Sequence, residues 1–401
     1  MCRMTGFLIV GCLAAAILPS PGAAAPADEP PPFMEVSPGD FVESWGDGEG
    51  IEPIVDMYYN RVDGYLFYGG IRYGSRSRLH PRLAAMAGWP SSRSEQFYEI
   101  TVEQPFWSQD GFSLGVSLYE RTDWSREDAE RITDVENNLL ALFFREEFRD
   151  YFGRQGFTAF ASYRATPELT FRFEYRDDEI SSLDTNQSVW SAFRRGHDWA
   201  ENPALSVGIG DAAREFEGEM KGFVGSFVYD DRDYLARTGW LARGFFEYYG
   251  GDVGGDYSFR KYVVDLARGF RITETQSLWF RGVWGIGSAR KDFPSHKLFT
   301  LGGVGTLRAR DFKEFAGKNL FFASAEYTVR IRPELHTIYF VDTGQVWTGT
   351  SGFESDDLKT DVGIGIRFEA PTVGALRIDV ARPATTESAD TVITVRLAYA
   401  P

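Results

Sequence analysis

The stretches Leu301-Gly302-Gly303-Val304-Gly305-Thr306-Leu307-Arg308-Ala309-Arg310-Asp311 and Phe340-Val341-Asp342-Thr343-Gly344 decide how this chain folds. The first is a loop whose glycines let the backbone double back, and it carries arginines. The second alternates like a strand and bears one acid. Between them, Leu320 to Arg330 alternates as well. The planar fork of Arg308 matches a carboxylate bidentately, so a pair with Asp342 would pin the loop. That pairing has a use only where strands close around a lumen into which the loop can fold.

Alternation through the rest of the chain supports closure. Tyr65, Phe67, Gly69, Ile71 and Tyr73 share one face, and so do Leu83, Ala85, Ala87 and Trp89. Tyr98, Ile100 and Val102 face away from Glu99, Thr101 and Glu103. Phe112, Leu114, Val116 and Leu118 oppose Ser113, Gly115 and Ser117. Leu169, Phe171, Phe173 and Tyr175 oppose Thr170, Arg172, Glu174 and Arg176. A soluble sandwich alternates too, but around a dry inner face. Here the polar face is charged in strand after strand, and aromatics gather near strand ends on the other face, as in the girdles of a membrane barrel. Further strands are expected near 216–229, 239–249, 258–269, 276–287, 319–330, 336–346, 359–369, 375–381 and 391–399.

Two stretches interrupt the pattern. Residues 122–155 read as a long loop with a short amphipathic helix, or as an irregular strand; residues 178–214, with Asn202-Pro203, read as another long loop. Long loops alternating with short turns fit the two ends of an all-β, transmembrane antiparallel barrel of about 16 strands. Closure expects an even number of strands, about 16, and a further strand is expected within 139–148 or just before Val62.

Composition agrees. Aromatics make up 15% of the 401 residues, with 42 Gly and 10 Trp against 6 Met and 4 His, which suits strands joined by many turns. Beyond the extreme N-terminus the sequence has no apolar run long enough for a spanning helix, which says nothing against a barrel. The 42 basic and 58 acidic residues leave a net charge of −16, which argues against a nucleic-acid partner. Residues 1–25 read as a signal peptide, with Arg3, an apolar run from Gly6 to Leu18, and Ala23-Ala24-Ala25 before the cut. A rival reading places lipid on Cys12 after Ile9-Val10-Gly11. Cleavage after Ala25 removes Cys2 and Cys12, the two cysteines of the chain, and with them any disulfide. Residues 26–55, with Pro30-Pro31-Pro32, are expected to form a periplasmic linker and 56–401 the barrel. About 30 residues separate the cut from the first clear strand, too few for a periplasmic domain of ordinary size.

The late motifs carry a resemblance. Gly302-Gly303, Leu307-Arg308, Phe340-Val341-Asp342-Thr343-Gly344 and Val362-Gly363-Ile364-Gly365-Ile366-Arg367 resemble the barrel of the BamA/TamA-type assembly and secretion superfamily, also called bacterial surface antigen domains. Tyr229-Asp230-Asp231-Arg232-Asp233 with Thr238-Gly239 looks like the family's acidic strand end before a Gly-led strand. The likeness spans roughly 60–401 and is strongest after residue 225. It implies that the loop before the fifth-from-last strand folds into the lumen. Arg308 would then take the position of the family's loop arginine and Asp342 that of the acid it meets. Gly302, Gly303 and Gly344 match glycine positions, and Leu307 and Phe340 flank the pair. Two departures stand out: Ala309-Arg310 replaces Gly-Phe/Tyr, and the chain ends Tyr399-Ala400-Pro401 instead of on an aromatic. The resemblance further implies a short member without periplasmic repeat domains, placed in the bacterial outer membrane. Its partners would be outer-membrane lipids and unfolded outer-membrane proteins or other assembly components.

Two readings of Arg308 remain open at this point, a loop latch and a solvated lumen arginine without a fixed partner. Catalysis has little support. The sequence contains no Gly-x-Ser-x-Gly elbow, and His80, His197, His296 and His336 lack metal spacing. Gly250-Gly251-Asp252-Val253-Gly254-Gly255-Asp256 lacks the register of a calcium loop and reads as a hairpin turn. No catalytic residue, metal or cofactor is therefore expected. Three functions remain, in falling order: a non-enzymatic role in outer-membrane biogenesis, inserting or moving proteins or lipids; a gated or passive pore for small solutes; and a lipid hydrolase.

Overall fold

Burial along the strands runs opposite to that of a soluble protein. Phe171 and Phe173 are 43% and 48% exposed, whereas Glu174 is 5% exposed. Tyr98, Ile100 and Val102 are exposed, and Glu99, Thr101 and Glu103 are buried. Such an arrangement is stable only where lipid meets the outside and charge pairs fill the inside. The computed structural model describes residues 50–398, apart from 75–79, 107–110, 194–195, 203–216, 234–237, 291–292, 350–351, 371–373 and 385–390. The expected signal peptide and the terminal Tyr399-Ala400-Pro401 lie outside the described residues.

The strands run β1 (Gly50–Asn60), β2 (Gly64–Gly74), β3 (Arg82–Pro90), β4 (Phe97–Pro105) and β5 (Phe112–Trp124). Helices α1 (Arg126–Ala129) and α2 (Asp134–Phe144) follow, then β6 (Tyr151–Thr166), β7 (Leu169–Ser182), β8 (Gly218–Asp230), β9 (Gly239–Tyr249), β10 (Phe259–Thr273) and β11 (Gln276–Ala289). A small hairpin, β12 (Phe299–Leu301) and β13 (Phe315–Gly317), interrupts the series. It continues with β14 (Asn319–Arg332), β15 (Leu335–Trp347), β16 (Lys359–Ala370), β17 (Gly374–Pro383) and β18 (Val392–Ala398). Among the described residues, sixteen strands form one antiparallel meander from β1 to β18, with β12 and β13 paired apart from it. The architecture is that of an outer-membrane barrel. Long loops lie at one end, as at 125–150 and 293–318; tight turns such as those between Thr273 and Gln276 lie at the other.

The strand expected just before Val62 is β1, which starts at Gly50, ahead of the expected barrel boundary at 56. The alternative within 139–148 is not a strand: Leu139 to Phe144 lie in α2. Thr133 caps that helix by accepting from the Glu136 N–H at 3.2 Å. The sequence reading did not single out β6. Its outward face holds small Ala159 and Ala161, and an aromatic, Phe160, points inward. The Phe160 ring fills the space that a side chain at Gly115 would need, with the Arg172 guanidinium 4.0 Å from its centre.

Candidate functional site: the lumen loop and its charge cluster

The β12–β13 hairpin carries the glycine-rich loop inward. Phe299 pairs with Gly317 and Leu301 with Phe315. The Phe299 ring lies on Gly285 of β11, and Leu301 packs 3.0 Å from where a Cβ of Gly344 would sit. Both glycines let the hairpin lie against the wall. At the tip, Gly302 and Gly303 take positive φ angles of 114° and 76°, which favour glycine. Gly303 N–H donates to the Leu307 carbonyl at 2.9 Å, and the Thr306 hydroxyl accepts from Gly302 N–H at 3.0 Å. Leu307 is fully buried with Val283, Phe299, Leu301, Leu320 and Phe322. That anchor aims Arg308 at the inward faces of β14, β15 and β17.

There Arg308 meets Asp342 side-on. Its Nε donates to Oδ2 at 2.6 Å and its Nη2 to Oδ1 at 2.7 Å. Nη1 reaches Glu326 Oε1 at 2.7 Å and Asp379 at 3.4 Å. The guanidinium carbon lies 3.5 Å from the centre of the Phe340 ring. Arg377 closes the cluster with two bonds to Glu326, at 2.8 and 3.2 Å, and two to Asp379, both at 2.9 Å. Burial works against the charge on Arg308, but Glu326, Asp342 and Asp379 prevail and raise its pKa above the ordinary arginine value.

All seven residues singled out in the sequence lie in this region: Gly302, Gly303, Leu307 and Arg308 on the loop, and Phe340, Asp342 and Gly344 on β15. The sequence reading missed Glu326, Arg377, Asp379 and Asp361. Arg377 and Asp379 share the parity opposite to Leu376, Ile378 and Val380, so their inward placement was readable. Their meeting with Arg308 was not, because it depends on how far the loop descends. The glycines of Val362-Gly363-Ile364-Gly365 now have a physical role. A Cβ at Gly363 would collide with the Phe340 ring, and one at Gly365 with the Asp379 carboxylate. The departure at Ala309-Arg310 is accommodated too. Ala309 N–H donates to Asp361 Oδ2 at 2.9 Å, Arg310 lies 3.4 Å from the other oxygen, and Ala309 packs with Phe340 and Ala381.

A second loop fills the lumen beside the first. In α1, Glu127 pairs with Lys261; just after it, Glu130 pairs with Arg243 at 3.2 Å and Arg281 at 3.6 Å. Arg131 donates to the Thr300 carbonyl. Lys313, only 4% exposed, bridges Asp128 at 2.7 Å and Asp150. The two loops are thus fixed to each other and to the wall. The four histidines are scattered. His80 is exposed, the His197 carbonyl accepts from Arg145, the His296 ring lies tilted 4.8 Å from that of Phe152, and His336 lies 3.3 Å from Glu369. The Asp230-Asp231-Arg232-Asp233 turn closes on itself: Arg232 holds Asp230 at 2.7 and 2.6 Å, and Asp233 pairs with Thr238.

A sixteen-stranded antiparallel barrel with an inward-folded arginine loop defines a class of outer-membrane proteins. The profile of the Omp85 superfamily domain matches residues 83–397, and the chain belongs to that superfamily. It is therefore a BamA-like protein of the bacterial outer membrane, in a superfamily whose members are generally transporters and assembly factors. It is 28% identical over 190 residues to the outer membrane protein assembly factor BamA of Nitratidesulfovibrio vulgaris, over 42% of this chain. The match spans only 24% of that relative's length. The crystal structure of Haemophilus ducreyi BamA lacking POTRA domains 1–3 has the same fold, with a TM-score of 0.56 at 13% identity. That likeness covers 87% of this chain and 70% of the other.

Proposed function

We propose that this barrel acts in outer-membrane biogenesis, helping proteins or lipids into the membrane without a catalytic step of its own. The observation that carries the reading is the side-on Arg308–Asp342 pair, set in the Glu326–Arg377–Asp379 cluster. An open solute pore has no need of a loop fixed across its lumen by buried charge. A loop held by a few strong bonds can be latched in one state and released in another. Arg308 is the latch and Asp342 its catch. Glu326, Arg377 and Asp379 hold the latch in place, and Gly302, Gly303 and Gly344 allow its approach.

The test is client folding in liposomes. The folding rate of a small unrelated barrel is followed with and without this protein in the bilayer. Faster folding, reduced in Arg308→Ala, is expected. An unchanged rate together with a steady open conductance of the native protein would replace this reading with the pore.

A further inference from the structure

The lipid-facing row of β10 reads Tyr262, Val264, Leu266, Arg268, Phe270, so one arginine interrupts an apolar surface. Inward arginines of the same wall are matched to acids, as Arg243 and Arg281 are to Asp265. Arg268 is not. Among the described residues its Nε is buried without a hydrogen-bond partner, and no carboxylate pairs with its guanidinium. Aromatic rings flank it instead, with the guanidinium carbon 4.8 Å from the centre of the Trp240 ring and 5.1 Å from that of Phe270. A cation on a lipid-facing surface is costly in the hydrocarbon and is tolerated where it can reach the headgroups. Arg268 pairs in register with Trp240, the first lipid-facing residue of β9 after the acidic turn, and so lies toward the short-turn rim. In barrels of this kind that rim is the periplasmic one. Two acids of the turn are already engaged: the Tyr229 hydroxyl donates to Asp231 at 2.8 Å, and Arg232 holds Asp230.

A groove runs from this arginine toward the bilayer centre. Gly282 of β11 lies in register between Leu266 of β10 and Ala323 of β14. On its own strand it lies between the lipid-facing Phe280 and Trp284. A hydrogen at Gly282 and methyls at Ala323 and Ala325 leave a hollow of about 400 Å³ among larger neighbours, with Trp240 and Arg268 on its border. That volume falls within the range of small-ligand sites. Leu266, Phe280 and Val341, which also line it, are exposed on the outer face, so the hollow opens to lipid and not to the lumen.

We infer that this face holds one glycerophospholipid of the periplasmic leaflet, its phosphate on Arg268 and an acyl chain in the groove over Gly282, Ala323 and Ala325. Charge complementarity selects the occupant. An unmatched guanidinium offers donors that fit phosphate oxygens, and the apolar trough that begins beside it takes the chain of the same molecule. An apolar protein surface would fill the trough but leave the arginine without an anion. The site is independent of the biogenesis reading, since it needs neither the lumen loop nor a client.

The experiment uses the full chain in dodecyl maltoside micelles and a phosphatidylglycerol with a diazirine in the middle of one acyl chain. Crosslinked peptides are mapped by mass spectrometry. Saturable labelling concentrated on residues 278–284 and 321–327 is expected. Arg268→Gln should lower it at least fivefold, whereas a diacylglycerol with the same diazirine chain should label both proteins equally. Arg268→Lys keeps the cation and should recover part of the loss. Gly282→Val fills the trough and should also lower labelling at least fivefold, with heat-dependent gel mobility of the folded barrel unchanged. It carries the comparison if the glutamine variant does not fold. Labelling spread evenly around the barrel overturns the site, and so does labelling that either folded variant keeps in full. An equal loss of phosphatidylglycerol and diacylglycerol labelling in Arg268→Gln would overturn the phosphate contact, because the arginine would then only shape the groove.

Discussion

Arg308 makes its strongest bonds through two nitrogens on one side of the guanidinium, and lysine cannot copy that geometry. Asp342 is fully buried and accepts from Ser324 as well, at 2.7 Å. Removing Arg308 takes away the cation that Glu326 and the fully buried Asp342 face. Arg308→Ala should therefore destabilise the folded barrel by up to roughly 3–5 kcal/mol, the range for breaking one side of a buried pair. Arg308→Lys should recover less than half of that loss. Urea unfolding followed by Trp fluorescence in lipid vesicles measures both; equal stability of all three proteins would show that the pair does not hold the loop. The sequence made Arg308 and Asp342 visible because motif and spacing survive in one dimension. Glu326 and Asp379 stayed hidden because an inward acid on a strand looks the same whether it faces water or an arginine.

At the level of elements, the β12–β13 hairpin owes its position to what β11 lacks. The Phe299 ring occupies the space over Gly285, while nothing lies within 4 Å of where a Cβ at Gly282 would sit. Gly285→Val should push the hairpin off the wall, and Gly282→Val should be neutral. Limited trypsin digestion in vesicles reads this, because Arg310 and Lys313 lie on the hairpin loop and Lys318 directly follows β13. Faster cleavage in the first variant only is expected, and equal cleavage in both would sink the idea. Strand identity was readable wherever large apolar residues kept one parity, as in β7 and β16. It failed in β6, where alanines face lipid and Phe160 turns inward onto Gly115. Helix α2 was legible as an interruption. Its position against β1 was not, since nothing in Asn138 itself says that its amide meets a strand edge.

For the molecule as a whole, two environments are separated by one layer of strands, and each rejects the other's residues. An arginine replacing lipid-facing Phe173 should cost about 2–4 kcal/mol if it lies near the bilayer midplane. Folding efficiency into vesicles, read by heat-dependent gel mobility, should fall accordingly; an unchanged yield would argue that this face is not in lipid. The interior is governed by charge balance between the loops. Lys313 joins the two lumen loops by holding Asp128 and Asp150 together. Lys313→Met keeps much of the stem but leaves two carboxylates facing each other at short range, where repulsion is strong. The loops should part, and planar bilayers should show transient openings that the native protein lacks. Adding Asp128→Asn removes half of the repelling pair, so Lys313→Met with Asp128→Asn should close again. A native protein that already conducts steadily, with no change in either variant, would mean that the loops leave a free path through the lumen and that their contact does not gate it.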